Sequence, residues 1–140
     1  MTKRRDREPM CIARNCRRVR YEDRLCAIHF ADRLWSEAVK ERDGFCRGAI
    51  YRPELRCLGR LEADHLIGRS YGATRWLLDV GAALCLAHHK FYTEHPLEHQ
   101  ELAIELMGER DYEARRRLAM THIPDQPEAA ITRLRLEVSA

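Results

Sequence analysis

The sequence predicts a small α+β fold in which zinc knuckles and flanking helices surround two short extended elements. Six cysteines fall into two trios, and each trio ends in a C-x2-H pair. Several segments carry apolar residues at helical spacing, and short apolar runs over residues 61–67 and 77–84 predict the extended elements. The 140 residues, 45% of them apolar, suit one compact unit with a small appendage.

The N-terminal third is predicted to hold an arm, a knuckle and a helix. Residues 1–10 form a basic arm, and residues 11–29 form the knuckle because three cysteines and a histidine stand among polar residues. Apolar positions at helical spacing predict a helix over residues 30–42, which ends at Asp43 and Gly44. The other predicted elements are a loop over 45–60, a strand over 61–67, a second element over 77–84, and helices over 86–94, 96–107, 109–120 and 128–138.

We divide the chain into residues 1–30, residues 31–107 and a C-terminal helical extension over residues 108–140. Pro96 opens a helix, and Gly108 follows the end of that helix. This helix and those after it are interpreted as scaffold. Three histidines belong to no recognisable motif in the sequence and are interpreted as surface or helix residues: His95, His99 and His122.

The net charge of +3 hides an uneven distribution. Residues 1–20 carry +6 and residues 42–76 carry +3, whereas residues 77–140 carry −4. Arginine accounts for 22 of the 25 basic residues, which suits phosphate recognition or reflects genome composition. No apolar run approaches the ~18 residues of a membrane span, and no apolar stretch follows the basic N-terminus as in a secretory signal. We therefore expect a cytoplasmic protein with no membrane partner.

The cysteines and two histidines predict two structural zinc sites. Ligands two to four residues apart can chelate one zinc ion from a tight turn, as the C-x4-C and C-x2-H pairs of the knuckle allow. Disulfides and free buried cysteines are the alternatives for the knuckle. The second set has a looser C-x10-C pair, so its loop must fold back. The two Cys3His sets are Cys11, Cys16, Cys26 and His29, and Cys46, Cys57, Cys85 and His88.

An Asp-His pair lies between the two halves of the second cysteine set. Asp64 and His65 end an apolar strand, which is a weak signal alone. His89 directly follows the predicted ligand His88, and adjacent helical side chains point about 100° apart. One histidine can therefore bind zinc while the other faces elsewhere.

The runs RDGFC, C-x-G-x-L-x-A-D-H-L-I-x-R-S and ALCLAHHKFYTEHP resemble the HNH endonuclease family over about residues 35–107. The similarity is to phage-encoded members, including NinG-like recombination nucleases. It implies a ββα-metal core, also named the His-Me finger. It also implies that His65 is the general base and that Asp64 and His89 bind a catalytic Mg²⁺ or Mn²⁺ ion. The structural zinc ligands would be those of the second Cys3His set.

One position departs from the family pattern. The family asparagine falls on Val80, which can neither bind a metal ion nor orient an imidazole. Asp79 is the nearest polar replacement, but neighbouring strand residues point to opposite faces. The departure leaves either a variant metal site that uses Asp79 or backbone carbonyls, or weakened catalysis.

The implied activity is hydrolysis of DNA phosphodiester bonds, by nicking or cleavage. Six basic residues are candidate DNA contacts, with solvated surface charge as the alternative: Arg69, Arg75, Lys90, Arg17, Arg18 and Arg20. Two other functions stay open, a non-catalytic zinc-stabilised DNA-binding protein and a phage recombination or packaging accessory factor. The resemblance implies that one HNH site cuts one strand, so double-strand cleavage would require two copies, as in a homodimer. A phage protein is the other expected partner.

Overall fold

A computed structural model describes residues 9–139 of the chain, so most of the predicted basic arm lies outside the described residues. Within them the fold mixes helices with one two-stranded antiparallel sheet, as the predicted α+β class requires. Every helix in this range is too short or too polar to span a bilayer. The elements are α1 (Ala27–Asp43), β1 (Leu61–His65), a 3-10 turn (Leu78–Val80), β2 (Gly81–Cys85), α2 (Leu86–Glu94), α3 (Pro96–Met107), α4 (Glu109–Ala119) and α5 (Pro127–Ser139).

Helix α1 forms where the apolar spacing predicts it, but it begins earlier. Cys26 is its N-cap, so the helix starts inside the segment interpreted as the knuckle. Phe30, Trp35 and Val39 are buried along one face. The helix ends at Gly44, whose φ of 69° is left-handed and whose N–H bonds to the Lys40 carbonyl. The knuckle and the central segment therefore share one helix.

The two strands place alternate residues of β1 on opposite faces of the sheet. Asp64 pairs with Ala82 and His65 with Gly81. Ala63 packs with α1, whereas Asp64 turns toward α2 and α3. Gly81 is required because a Cβ atom there would lie 2.6 Å from the Trp35 ring. The absence of a side chain at Gly81 lets α1 approach the sheet.

Two apolar clusters stabilise the sheet from its two faces. One joins the sheet to α2, α3 and α4 and includes Leu84, Tyr92 and Leu102. The other lies between α1 and α5 and includes Trp35 and Ile131. Helix α5 thus packs onto α1, so the C-terminal part of the predicted extension is part of the core around α1.

A buried carboxylate covers the outer edge of β2. Asp43, the last residue of α1, accepts the Ala83 N–H at 2.8 Å and pairs with Arg42 and Arg47 at 2.8 and 3.1 Å. Burial opposes its charge, but the hydrogen bonds from Arg42 and Ala83 and the charges of Arg42 and Arg47 together outweigh burial and lower the pKa of Asp43. The Asp43 carboxylate therefore joins the end of α1 to β2, an edge strand that would otherwise expose its backbone groups.

Replacing Asp43 with Asn should lower the free energy of unfolding by about 1.5–3 kcal/mol, the usual contribution of a charged hydrogen bond. Because the folded pKa is lowered, the contribution is complete above the unfolded value of 3.8 and is lost only as pH falls through the folded pKa. Urea unfolding should therefore give the same loss at every pH from about 5.5 to 8.

Asp79→Asn is the matched control, since that carboxylate pairs with Arg115 while 49% exposed. Its loss should stay below about 1 kcal/mol, as for other surface pairs. Equal effects of the two substitutions would contradict a special role for Asp43.

Candidate functional site

The second Cys3His set forms a cluster that can hold zinc. The ligand atoms of Cys46, Cys57, Cys85 and His88 all lie within 4.8 Å of one another. The His88 Nδ1 atom lies 3.0 Å from the Cys85 sulfur and 3.6 Å from the Cys57 sulfur. Ligands around one tetrahedral zinc ion lie about 3.5–3.8 Å apart, so the cluster has nearly the right size. The loop between Cys46 and Cys57 folds back as the wide spacing required.

The chain positions this cluster at the junction of β2 and α2. Cys85 ends the strand and caps the helix, and its sulfur accepts the His88 N–H at 3.4 Å. The His88 Nε2 atom bonds to the Arg52 carbonyl, which leaves Nδ1 as the ligand nitrogen.

The cysteine pKa values suit a cation in this cluster. Burial opposes ionisation of Cys85, but hydrogen bonds from His88, from the Leu58 backbone and from Cys57 together outweigh burial and lower the pKa of Cys85 to about 6. Desolvation of its sulfur, followed by the neighbouring Cys85 and Cys46, raises the pKa of Cys57 to about 11. A negative charge on one cysteine sulfur disfavours ionisation of the other two. A bound dication would offset this repulsion.

The knuckle cluster repeats the arrangement at the start of α1. Cys26 is the helix N-cap and His29 lies three residues later, as Cys85 and His88 do at α2. The His29 Nδ1 atom lies 3.3 Å from the Cys26 sulfur and 3.4 Å from the Cys11 sulfur. All six cysteines are free thiols in these two clusters, so neither cluster uses a disulfide. The two predicted zinc ligand sets are therefore each brought together.

Asp64, His65 and His89 line one cleft of about 630 Å³ between α1, β1 and the starts of α2 and α3. The nearly buried Asp64 places Oδ1 3.4 Å from His89 Nε2 and Oδ2 2.6 Å from His99 Nε2. Burial would raise the pKa of Asp64, but the neighbouring His89 and His99 imidazoles together outweigh burial and lower it to about 2. The carboxylate is therefore charged at neutral pH.

His89 projects from α2 between two carboxylates. The neighbouring Asp64 carboxylate outweighs burial and raises the pKa of His89. Its Nδ1 atom faces Glu62 Oε1 at 3.5 Å. An imidazole with carboxylates on both sides is suited to bind a divalent cation through Nε2 while Nδ1 keeps its proton.

His65 is held on the α1 side of the cleft. Its ring stacks on Trp35 with 4.0 Å between ring centroids, and its Nε2 atom bonds to the Arg75 carbonyl at 3.0 Å. A carbonyl only accepts hydrogen bonds, so Nε2 must carry the proton and Nδ1 keeps a lone pair. Burial lowers the pKa of His65 and favours this neutral form.

Asp79 and Arg75 do not lie where their predicted roles require. Asp79 is exposed and pairs with Arg115 at 2.7 Å outside the cleft, since its side chain points away from the sheet toward α4. Arg75 is not a free phosphate contact, because it pairs with Asp32 and Asp125, both at 2.9 Å. Arg75 instead fixes the loop between β1 and the 3-10 turn to these two carboxylates.

The other candidate DNA contacts are exposed. Arg69 lines the cleft, and Lys90 follows His89 on α2. On the knuckle, Arg20 donates to the Met10 carbonyl at 2.6 Å and Arg18 approaches the Cys16 sulfur at 3.9 Å. Arg17 is likewise exposed.

His99 and Glu62 are site residues that the sequence reasoning missed. His99 was interpreted as a surface or helix residue, yet it contacts Asp64 from the first turn of α3. Spacing alone gives no signal for this contact, since the two residues lie 35 positions apart. Glu62 precedes Asp64 by two residues, so the alternation of side chains along a strand places both on the same face of β1. This signal is present in the sequence.

Comparison of the chain with protein-family models, curated proteins and solved structures finds no match. The HNH resemblance therefore rests on the quoted motifs alone.

Purified protein should contain two zinc ions per chain, one in each cluster. Cys57→Ser and Cys26→Ser should each lower the content to about one, measured by atomic emission, because each removes one of four ligands. Chelation should unfold the chain, since metal binding contributes folding free energy at such sites.

His122→Asn provides the control, as His122 is exposed and lies in neither cluster. Asparagine tolerates its positive φ of 54°. Wild-type protein that folds without zinc would contradict both assignments.

Proposed function

We propose that the chain is a metal-dependent DNA endonuclease with an HNH ββα-metal site. The observation that carries this proposal is one cleft shared by a neutral histidine, His65, and by a carboxylate–imidazole pair, Asp64 and His89. Phosphodiester hydrolysis needs a base for the attacking water and a cation for the developing charge on phosphate, and these groups supply both requirements.

His65 supports the proposal as the general base. Its free Nδ1 can accept the proton of a water molecule while Nε2–H stays bonded to the Arg75 carbonyl. Stacking on Trp35 holds the ring in one orientation. A base that is neutral and oriented before the substrate arrives requires no rearrangement during proton transfer.

Asp64 and His89 support the proposal as ligands for Mg²⁺ or Mn²⁺. A carboxylate oxygen and an imidazole nitrogen 3.4 Å apart can bind adjacent positions of a six-coordinate ion. When bound, such an ion neutralises charge on the phosphate and on the leaving oxygen. His89 is oriented by Glu62, and Asp64 is held by His99.

The loss of the family asparagine is compatible with this arrangement. Val80 is fully buried, and its carbonyl accepts the Leu66 N–H at 2.8 Å. Orientation of the imidazole, one task that the resemblance gives to asparagine, is supplied by Trp35 and the Arg75 carbonyl. The substitution therefore need not abolish catalysis.

Basic residues at the cleft and on the knuckle support DNA as the substrate. Arg69 lies at the cleft, and the knuckle with Arg17 and Arg20 adjoins the start of α1. Asp32 of α1 lines the cleft only one helical turn after His29. A duplex lying along α1 would thus contact the knuckle and the cleft together.

Incubation with supercoiled plasmid and Mg²⁺ or Mn²⁺ should produce nicked circles. His65→Ala should reduce the nicking rate at least about 100-fold, since a general base contributes that much or more. The matched control His122→Asn should nick at the wild-type rate. An intact plasmid with wild-type protein, or equal nicking by His65→Ala, would refute the endonuclease.

Binding measurements test the knuckle as a DNA contact and also the non-catalytic alternative. Replacing Arg17, Arg18 and Arg20 with Gln should lower the slope of log K against log salt by about 2–3, one unit for each lost phosphate contact. The zinc content must stay at the wild-type value, because Arg18 and Arg20 also contact the knuckle. An unchanged slope would exclude the knuckle, and salt-dependent binding without any nicking would favour the non-catalytic protein.

A further inference from the structure

A histidine outside the family motif touches the most buried carboxylate of the cleft. His99 closes the first turn of α3, and its N–H bonds to the His95 carbonyl. Its ring nitrogen Nε2 lies 2.6 Å from Asp64 Oδ2. Because an ionised carboxylate only accepts hydrogen bonds, the His99 Nε2 atom carries the proton of this bond.

The two oxygens of Asp64 have different environments. The 2.6 Å contact at Oδ2 has the length of a strong charge-assisted hydrogen bond. The 3.4 Å separation between Oδ1 and His89 Nε2 is longer than a good hydrogen bond. It is close to the ~3.0 Å between neighbouring ligands of an octahedral ion with 2.1 Å bonds. One oxygen is therefore bonded to the protein, and the other faces a nitrogen at nearly ligand spacing.

We propose that His99 is a positioning residue, which holds Asp64 Oδ2 so that Oδ1 and His89 Nε2 together bind one divalent cation. The inference rests on the proposed function, because it concerns the same cleft. His99 donates its Nε2 proton to Asp64 and is not itself a ligand through that atom. Such partners of metal ligands fix the ligand's rotamer, and their loss lowers metal affinity by about 10–100-fold.

The fold gives His99 this position through the break between α2 and α3. Only His95 separates the end of α2 from Pro96, the first residue of α3. His95 has an irregular backbone with φ of −127° and ψ of 79°. The first turn of α3 consequently lies over the face of β1 that carries Asp64. His99 also lies near the Tyr92 ring, at 6.2 Å between centroids, so packing and hydrogen bonding both locate it.

A purely structural role for His99 makes a different prediction from a positioning role. His99→Leu keeps apolar contact with Tyr92 but has no donor, whereas His99→Gln keeps an N–H donor near the place of Nε2. If His99 only packed α3 against the sheet, Leu would be the better substitute. If it positions Asp64, Gln would be the better substitute.

The experiment measures Mn²⁺ binding to the full zinc-loaded chain by electron paramagnetic resonance, with no DNA present. His99→Leu should raise the Mn²⁺ dissociation constant by about 10–100-fold, and His99→Gln should stay within about threefold of wild type. The control His122→Asn should bind as wild type does. Zinc content and thermal unfolding without Mn²⁺ show whether each variant is folded, and His99→Ala replaces the Leu variant if that variant is not.

The outcomes separate this inference from the proposed function. A folded Leu or Ala variant with wild-type Mn²⁺ affinity overturns the positioning role, as does a Gln variant that binds no better than the Leu variant. Wild-type protein that binds no Mn²⁺ also overturns it. Mn²⁺ binding that depends on His99, in a protein that never nicks plasmid, would instead uphold the inference and refute the endonuclease.

Discussion

The junction between β2 and α2 is the constraint on which the rest of the cleft depends. Neither part is stable alone, because α2 has nine residues and the sheet has two strands. Cys85 belongs to both elements, and the cluster it forms with Cys46, Cys57 and His88 fixes the angle between them. Three thiolates around one zinc ion would leave a net negative charge, which is favourable at a helix N-terminus. With His88 directed into the cluster, the next side chain, His89, is directed into the cleft.

The pleat of the sheet places the neighbouring residues Asp64 and His65 in different surroundings. Asp64 faces α2 and α3, where histidines surround it, while His65 faces α1 and stacks on Trp35. The charged form of Asp64 and the neutral form of His65 are stabilised by these different surroundings, although the residues are adjacent. Gly81 permits the arrangement because any larger residue would push Trp35 away from the sheet. Two adjacent residues can thus favour opposite charge states, because the pleat places their side chains on opposite faces of the sheet.

Local signals in the sequence predicted the elements, whereas contacts between distant segments were not predictable. Gly44 and Pro96 mark helix boundaries through backbone preferences that operate over a few residues, and the structure follows them. The pairing of Arg75 with Asp32 joins residues 43 positions apart, and no periodicity encodes it. The contact of His99 depends on the angle between α2 and α3, which tertiary packing decides. The cysteine clusters were predictable over long separations only because zinc ligands are few and their chemistry is specific.

The terminal segments are physically connected to His65 through one arginine. Arg75 holds His65 with its carbonyl, and its guanidinium is fixed by Asp32 of α1 and by Asp125, which precedes α5. Asp32 lies less than two turns after Cys26, so a change in the knuckle cluster that shifts the start of α1 would move this carboxylate. The side chain that the sequence predicts as a phosphate contact instead links Asp32 and Asp125 to the segment whose carbonyl holds His65. The position of His65 in the cleft is thus linked to the packing of α1 and to the segment that precedes α5.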